Sequence, residues 1–365
     1  MPFTIKISRS ITEIGQKEWE SAYPLIPEGY GYLKTSEQTL GLQFKFYYVS
    51  IYDEGKIVFV APVFVADYPL TTTLGQRIVP KLFTLRVCIC GSPTCEGRLG
   101  MRETLRRKEM LDILVREMDS IAKKEGASVL AFKEFSKVYD DLFAFLKKQG
   151  FHKFSALPSV ELDLPFGSFE KYLSTLSKKT REDLRRKFKK VDGLVKIEME
   201  VREELGGLLD EAYALYLANL DKAEMTFEKI TKDFFRKIPE NMPGQTRFFI
   251  WRIDGRLVAF SMCLLSGDLM VGEYLGFDYS VAYKYHLYFI AFRDKITWCI
   301  KNGIRKYETG ALNYDPKKRL DFKFITQYIY AKHRNSIMNR LLSILIWALE
   351  PQRHDPVLRS MAKTS

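Results

Sequence analysis

The sequence predicts an α+β fold built from mixed, mostly antiparallel sheets that are flanked by helices. Two β-hairpins indicate the antiparallel sheets, because runs rich in aromatic and β-branched residues flank an acidic-glycine turn at 53–55 and again at 254–255. In each half, a long helical segment ended by a glycine, Gly126 or Gly303, leads into a short strand. Because this order occurs twice, we predict an internal duplication.

The first half begins with a strand at 3–9 and a short helix around Trp19. Its hairpin spans 44–52 and 56–66. In chain order, the remaining elements are a loop at 69–80, an apolar strand ending near Cys90, a helix at 102–124, a strand at 127–132, a helix at 137–149 and strand material at 151–164.

The second half is predicted to follow a boundary near Leu164–Gly167. This boundary divides the chain into a domain at 1–165, a domain at 166–350 and a tail at 351–365. In chain order, the elements after residue 246 are strands at 247–253, 256–265 and 269–277, a helix at 285–301, strands at 304–309 and 325–332, and a helix at 335–350.

Residues 178–192 predict an amphipathic helix with two distinct faces. One face is apolar, with spacings of four and three, through Leu184, Phe188 and Val191. Another face repeats the cations Lys178, Arg181, Arg185 and Lys189. The predicted caps are Ser177 or Thr180 at the start and a left-handed Gly193 at the end. Such a charged face is either simply solvated or binds an anion.

Length and charge restrict the class of protein. A chain of 365 residues exceeds what one hydrophobic core serves, so we expect two domains. The net charge of +12 favours an anionic partner, namely a CoA-type cofactor, an acidic carrier protein, tRNA or an anionic membrane surface.

The cysteines predict a reducing compartment, and the lengths of the apolar runs bear on whether a helix spans a membrane. The five cysteines include one cluster, Cys88, Cys90 and Cys95, without a histidine at metal-binding spacing, so we expect no metal. An odd number of cysteines without a secretory signal fits the cytosol. No apolar run reaches 18 residues, so we expect no spanning helix, and the predicted location is cytoplasmic, with peripheral contact at the inner membrane surface as an alternative.

The residues Leu-Ser-x-Lys-x-Arg-x-x-Leu-Arg-Arg at 176–186, the hairpin segment and Tyr-Glu-Thr-Gly-Ala at 307–311 together resemble the FemAB-like branch of the GNAT N-acyltransferase superfamily. That branch includes peptidoglycan-biosynthesis-type acyltransferases. The resemblance implies tandem GNAT-like domains, a degenerate first half, and an acyltransferase cleft in the second half. It implies transfer of an acyl or aminoacyl group from acyl-CoA or acyl carrier protein to an amine, without DNA as a partner.

Two alternatives to this function remain. One is an aminoacyl-tRNA-dependent transferase acting on a cell-wall or lipid precursor. The other is a non-catalytic binding protein with a basic face.

Donor binding is predicted on the basic helix. Ordinary members of the superfamily hold the donor pyrophosphate on a glycine-rich loop at a helix start, but the corresponding turn at 278–285 has no glycine pair. This absence leaves CoA, a carrier-bound donor and aminoacyl-tRNA open. Arg181 and Arg185, with Lys178, are the predicted ligands, because guanidinium groups grip phosphate or carboxylate as a fork.

Glu308 is the predicted general base, because it ends a central strand beside Gly310, where backbone can approach a substrate. The alternative is an ion pair with Arg305 or Lys317. The resemblance adds further substrate-binding candidates, which are Gly310, Ala311, Lys318 and Lys323.

Glu273 is a second candidate base, and Tyr274 is a candidate donor to an oxyanion or leaving thiolate. Strand alternation predicts that these two side chains point to opposite faces. A cross-strand ion pair explains Glu273 equally well. His286 and His333 are titratable candidates with structural roles as the alternative, and the resemblance favours His333.

Residues 333–350 begin with basic residues and continue with Leu, Ile and Trp347. We expect this segment to form a helix that packs on the core, with insertion into a membrane interface as the alternative.

Overall fold

The computed structural model describes residues 2–69, 84–102, 106–222, 227–350 and 355–362. The predicted loop at 69–80, apart from Pro69, and part of the predicted tail therefore lie outside the described residues. The described residues form two compact units. Unit 1 takes them from Met1–Leu157, Glu224–Thr231 and Thr326–Ser365, and unit 2 takes them from Pro158–Ala223 and Lys232–Ile325.

The strands, in chain order, are β1 Thr4–Ser8, β2 Lys45–Asp53, β3 Lys56–Pro69, β4 Thr84–Cys90, β5 Gly100–Met101, β6 Val129–Ser136, β7 His152–Ser155, β8 Ser159–Asp163, β9 Ile197–Arg202, β10 Thr246–Ile253, β11 Arg256–Ser266, β12 Leu269–Phe277, β13 Lys306–Thr309, β14 Lys323–Ile325 and β15 Gln327–His333.

The helices, in chain order, are α1 Gln16–Glu20, α2 Tyr30–Leu40, α3 Arg107–Glu125, α4 Asp140–Lys148, α5 Phe169–Thr175, α6 Lys178–Asp192, α7 Leu209–Leu220, α8 Lys232–Asn241, α9 Tyr279–Ala282, α10 Leu287–Lys301, α11 Tyr314–Arg319, α12 Ser336–Leu349 and α13 Pro356–Ala362. Within the described ranges, 3-10 turns occur at Ile11–Glu13, Lys137–Tyr139 and Gly206–Leu208. No described helix is long and apolar enough to cross a bilayer.

Unit 1 contains a sheet in the order β1-β2-β3-β4-β6-β15-β7, with β5 paired to β3. The pair β4 and β6 is parallel, and the other neighbours are antiparallel. Helix α3 covers one face, and its side chains Met110, Leu114 and Met118 are fully buried, as their helical spacing predicts. The core of this unit therefore lies between α3 and the sheet.

Unit 2 contains a sheet in the order β9-β10-β11-β12-β13-β8-β14. Again one pair is parallel, β12 and β13, and the other neighbours are antiparallel. Helix α7 packs on one face, where the backbone at Leu215 and Tyr216 lies so near Gly276 that no Cβ fits there. Helix α10 covers the opposite face, with the Phe292 ring 6.1 Å from the Tyr307 ring.

The two sheets have the same strand order and the same single parallel pair, so the predicted α+β fold with an internal duplication is confirmed. The predicted boundary near Leu164–Gly167 differs from the division of the units, which falls between Leu157 and Pro158. The reason is an exchange of strands. Strand β8 lies between β13 and β14 in unit 2, and the late strand β15 lies between β6 and β7 in unit 1.

Both predicted hairpins are present, and their turns explain the choice of residues. Glu54 and Gly55 have φ values of 48° and 75°, and Asp254 and Gly255 have 50° and 77°. Positive φ at both central residues matches the twist of the flanking strands, and acidic-glycine pairs tolerate it.

Candidate functional site

The candidate site in unit 2 lies where two parallel strands separate. Strand β12 pairs with β13 from Leu269–Lys306 to Gly272–Thr309 and then continues to Phe277, whereas β13 ends. Gly272 suits the last paired position, since a Cβ there would lie 3.1 Å from the Tyr307 hydroxyl. Beyond it, no described strand pairs with the edge of β12 that faced β13.

Glu308 lies on β13 one residue before this divergence, and its side chain is half-buried. Its direct neighbours across the sheet are Val271 on β12 and Glu161 on β8. Lys306, two residues earlier and on the same face, donates to Glu161 over 3.2 Å. This hydrogen bond, with the charges of Glu161, Glu308 and Asp163, raises the pKa of Lys306. Glu308 therefore belongs to a patch of charged groups on one face of the sheet.

The regular alternation of β12 is interrupted between Gly272 and Tyr274. Tyr274 pairs with Met262, but Gly272 pairs with the adjacent Cys263, so Glu273 is the extra residue of a β-bulge. The bulge puts Tyr274 on the same face as Glu308, because residues directly opposite each other share a face. The Tyr274 ring lies 6.0 Å from Tyr216. It also lies 5.8 Å from Phe234 and 5.9 Å from Phe235.

The loop after β13 is held by a buried lysine. Lys317 is 5% exposed, and its Nζ donates to the carbonyl oxygens of Gly310 over 2.6 Å and Leu312 over 2.9 Å. Leu312 and Asn313 both have positive φ, 72° and 50°, which costs free energy for residues other than glycine. Burial and the charge of Lys295 lower the pKa of Lys317 to about 7. Lys317 was one of two predicted ion-pair partners of Glu308. In the structure, its Nζ donates to these loop carbonyls instead.

Gly310 and Ala311 lie in this loop, next to the divergence. Gly310 is exposed, and no atom lies within 4 Å of the position a Cβ would take. Ala311 is half-buried. The open space beside Gly310 fits the prediction that backbone approaches a substrate here.

The basic helix has the predicted faces. Leu184, Phe188 and Val191 are buried, and the Ser177 hydroxyl caps the helix by accepting from the Thr180 N–H over 3.2 Å. Gly193 is right-handed, with φ −85°, so the predicted left-handed end is wrong. The helix closes without it because the Gly193 N–H donates to the Lys189 carbonyl over 3.1 Å.

The three predicted donor-binding cations of α6 have different surroundings. Arg181 donates to the Leu176 carbonyl over 3.0 Å and thereby satisfies the end of α5. Arg185 forms an exposed ion pair with Glu170, 2.7 Å. Lys178 is exposed at the first turn of α6.

His286 lies at the start of α10, where it occupies the N-cap with φ 48°. Burial, followed by the charges of Lys187 and Lys190 on α6, lowers the pKa of His286. The cations of α6 that act on the N-terminus of α10 are therefore Lys187 and Lys190, which do not belong to the predicted row of Lys178, Arg181, Arg185 and Lys189.

The remaining predicted residues lie elsewhere. His333 ends β15 in unit 1, where its Nδ1 accepts from the Asn335 N–H over 3.0 Å, so the structural role explains it. Lys323 on β14 is exposed and paired with Asp163. Lys318 is exposed on α11.

Two charged groups of this region, the buried Lys295 and the half-buried Asp183, were missed from the sequence. Lys295 on α10 is 3% exposed, lies 5.3 Å from the Tyr307 ring centre, and has a pKa lowered by burial. Asp183 on α6 accepts from Lys187 and from Arg319, both over 2.6 Å. Although burial opposes it, these hydrogen bonds hold the pKa of Asp183 below its ordinary value. The only sequence signal was a charged residue within each helical pattern.

The repeated strand order, the single parallel pair in each sheet and the divergence after Gly272 define a protein of tandem GNAT fold, the fold of N-acyltransferases. The chain belongs to the FemAB-like family. The family model, described as peptidoglycan biosynthesis/recognition, matches residues 44–339. This membership confirms the resemblance seen in the sequence.

Solved structures share the fold. FemX has a TM-score of 0.59 at 12% identity, over 93% of this chain and 100% of that chain. L-PGS from Bacillus licheniformis has a TM-score of 0.58 at 13% identity, over 93% and 98%. A tandem GNAT protein from the clavulanic acid biosynthesis pathway has 0.55 at 12% identity, over 92% and 99%. These likenesses confirm the tandem GNAT architecture.

A curated relative from Mycobacterium tuberculosis, provisionally named 8-amino-7-oxononanoate synthase 2, is 24% identical over 278 residues. The match includes 72% of this chain and 35% of that protein. The chain thus spans about a third of the length of the curated relative it matches.

Proposed function

We propose that this protein is an N-acyltransferase that moves an acyl or aminoacyl group from an activated donor to an amine acceptor. The observation that carries the proposal is the divergence of β12 from β13 with Glu308 half-buried beside it. An extended donor arm lying along the free edge of β12 would present its carbonyl near the bulge at Glu273. The acceptor would approach over the open backbone at Gly310.

Each residue has a proposed step in this reaction. Glu308 takes a proton from the acceptor ammonium, and the neutral amine then attacks the donor carbonyl carbon. A C–N bond forms and the C–S or C–O bond to the donor breaks. Tyr274 is the proposed hydrogen-bond donor to the oxyanion or to the leaving group. Lys317 fixes the loop at 310–313 and so keeps the approach to Glu308 open.

The donor is proposed to bind through its phosphates at the start of α10 and on the adjacent cations of α6. Helix N-termini attract anions, and Lys187 and Lys190 already act electrostatically on His286 there. Directly after β12, Asp278 is the N-cap of the short helix α9, and its carboxylate accepts from the Ser280 N–H over 3.0 Å. A carboxylate in place of a glycine-rich loop leaves less room for a pyrophosphate. We therefore keep carrier-bound donors as candidates together with CoA.

Aminoacyl-tRNA is the second candidate donor. The exposed cations of α6 favour it, because they extend along the helix well beyond the length of one pyrophosphate. Lys178, Lys179, Arg185, Arg186, Lys189 and Lys190 are all exposed.

For the acceptor, we propose an amine of a cell-wall or lipid precursor. The family description, peptidoglycan biosynthesis/recognition, supports this class. Such an acceptor suits a cytoplasmic protein that meets the inner membrane surface, which is the proposed location.

Glu308→Gln tests the proposal. Gln keeps the shape of the side chain and removes its basicity, so the variant should fold and bind donor normally but lose about 10² to 10⁴ in turnover. Transfer would be measured by mass spectrometry with panels of acyl-CoA, acyl carrier protein and aminoacyl-tRNA donors. If the purified protein retains a donor molecule, its mass would show which of these three donor classes should be tested with more members.

Glu161→Gln is the matched control, because it removes the carboxylate directly opposite Glu308 on the same face. Its turnover should change much less. If transfer survives in Glu308→Gln and collapses in Glu273→Gln, the base lies on β12 instead. If the wild-type protein binds donors yet transfers nothing, it is a binding protein with a basic face.

A further inference from the structure

Helix α11 fixes the loop beside the proposed base, because its Lys317 holds carbonyl oxygens of the loop at 310–313. The helix has only six residues, so its conformation depends on contacts with neighbouring elements. One contact is made at its end, where the Leu320 carbonyl accepts from the Tyr172 hydroxyl of α5 over 2.7 Å. Another is made by Arg319, which reaches α6.

Asp183 is the residue of α6 that Arg319 reaches, and it also binds cations of its own helix. Arg319 Nη2 and Lys187 Nζ both donate to Asp183 Oδ2, each over 2.6 Å, and Arg186 donates to Oδ1 over 2.7 Å. The Asp183 and Lys187 side chains are only 17% and 15% exposed, so solvent ions screen their charges weakly.

Arg319 and Lys187 compete for the same carboxylate oxygen. Because each lies 2.6 Å from Oδ2, the two cationic groups are at most twice that distance apart and repel each other. An anion that draws Lys187 away from Asp183 therefore strengthens the pair of Asp183 with Arg319. Lys187 is placed to meet such an anion, because its charge also acts on His286 at the start of α10, where the donor phosphates are proposed to bind.

We propose that Asp183 is a positioning residue that couples the donor side of the site to the acceptor side. A donor phosphate bound at Lys187 leaves Asp183 to Arg319, and Arg319 then holds α11 and the loop at 310–313 more firmly. The inference rests on the proposed donor site for the identity of the anion, whereas the competition at Asp183 is a property of the free protein. By linkage, a more firmly held α11 also favours the anion at Lys187.

Amide hydrogen exchange of the segment 314–322, measured by mass spectrometry, reports the opening of α11. The Leu320 and Phe322 N–H groups both donate to the Lys317 carbonyl, so they exchange only when these bonds open. Asp183→Asn keeps the shape of the side chain and removes its charge, and exchange should become about tenfold faster. Arg319→Gln should have the same effect, and the double variant should be no faster than either single variant.

Lys187→Met should have the opposite effect. It keeps an apolar stem beside the Phe289 ring, whose centre lies 4.3 Å from Lys187 Nζ, and it removes the competing charge. Exchange of the segment 314–322 should become about threefold slower than in the wild type. Saturating inorganic pyrophosphate, the probe for the donor phosphates, should slow the wild type by a similar factor at constant ionic strength and leave Lys187→Met unchanged.

Asp192→Asn is the matched control, because it removes an exposed carboxylate of α6 that pairs with Arg293 of α10 over 3.3 Å. It should leave exchange of the segment 314–322 unchanged. Exchange of the β10–β11 hairpin in the same samples should be equal in all variants. A hairpin that is accelerated as much as α11 in Asp183→Asn would mean that Asp183 supports unit 2 as a whole, which would overturn the proposal.

The sign of the Lys187→Met effect separates coupling from a purely structural ion-pair network. Such a network would loosen when any member is removed, so faster exchange in Lys187→Met would overturn the proposal, and so would unchanged exchange in Asp183→Asn. Slower exchange in Lys187→Met without any response of the wild type to pyrophosphate would overturn the link to the donor. These measurements do not use acyl transfer, so their outcome is separate from the loss of turnover expected for Glu308→Gln.

Discussion

Glu308 and Tyr274 face the same side of the unit 2 sheet only because one residue of β12 is inserted between two paired positions. The identity and strand-end position of Glu308 were readable from the sequence, since a short β-branched and aromatic run ends there. The bulge at Glu273 was not readable, because period-two alternation carries no signal for an extra residue. Lys317 was also hidden, because its burial depends on a loop with two left-handed residues.

Lys317 gives unit 2 a specific pH dependence. Its pKa is about 7 in the folded protein and about 10.4 in an unfolded chain. Between these values the unfolded chain binds one more proton, so the contribution of Lys317 to stability rises with pH. Urea unfolding should therefore show the wild-type protein gaining stability relative to Lys317→Met from about pH 7 to pH 10.

The exposed neighbour supplies the control for this experiment. Lys318→Met removes an exposed lysine from the same helix and so reports the general effect of losing one lysine there. A difference between wild type and Lys317→Met that does not vary with pH would mean that the Lys317 amine keeps its charge throughout.

At the scale of elements, helices with an apolar stripe and a clear cap were predictable, and α6 is the best case. No element was predicted between 194 and 246, where β9, α7 and α8 lie. Helix α2 shows why such elements are missed, since it contains Thr35, Ser36 and Thr39, whose hydroxyls donate to carbonyls one turn earlier. These residues have weak helix propensity, and the burial of the helix decides its conformation.

Helix α6 allows donor binding to be separated from stability. Arg185→Ala should weaken donor binding by roughly 1.5 to 3 kcal/mol, and Arg185→Lys should not restore it fully. Stability should change by about 0 to 1 kcal/mol, because the ion pair with Glu170 is exposed, 54% and 68% for the two side chains. If tRNA is the donor, the slope of the logarithm of its binding constant against the logarithm of salt concentration should decrease by about 1, the equivalent of one phosphate contact.

Glu170→Gln is the control for this variant, because it frees Arg185 and should leave donor binding equal or stronger. Arg181→Ala tests the neighbouring cation, although it also removes the hydrogen bond to the Leu176 carbonyl. Unchanged donor affinity in both alanine variants would remove Arg181 and Arg185 from the donor site.

Helix α12 differs from the expected core-packing helix. It contacts β15 and β7 of unit 1, but Ile337, Met338, Leu341 and Ile344 are 47–70% exposed. The side chain of Trp347 lies outside the described residues. An apolar face beside Arg340 is typical of a helix that lies in a membrane interface.

Binding to vesicles that contain phosphatidylglycerol checks this interpretation. Replacing Leu341 and Ile344 by Ser should lower vesicle binding at least tenfold, since burying each side chain contributes about 1.5 to 3 kcal/mol. Leu25→Ser is the control, because Leu25 is 78% exposed elsewhere in unit 1. Equal vesicle binding by all three proteins would exclude α12 as the contact.

For the whole molecule, the duplication was readable from the repeated hairpin, helix, glycine and strand order. The exchange of β8 and β15 was not, because both strands have the composition expected of either sheet. Pairing between strands far apart in the sequence leaves no local pattern. Which sheet each strand joins depends on the relative stability of the alternative complete sheets.

The exchange predicts an unusual effect of truncation. A chain of residues 1–325 lacks β15, so β6 and β7 lose the strand between them. Unit 1 should then be cleaved by trypsin around β6 and β7, although only carboxy-terminal residues were removed. A chain of residues 1–350 keeps β15 and should resist cleavage there. Resistance of unit 1 in the shorter chain would show that its sheet closes without β15.

The same exchange reverses the order in which the units can mature on the ribosome. Once residue 325 has emerged, every strand of the second sheet is available, but the first sheet waits for residues 327–333. At 5 to 20 residues per second, β6 and β7 would stay without the strand between them for roughly 10 to 35 seconds after β7 is made. During that interval the nascent chain exposes two strand edges that a chaperone must shield, so the half synthesised first is completed last.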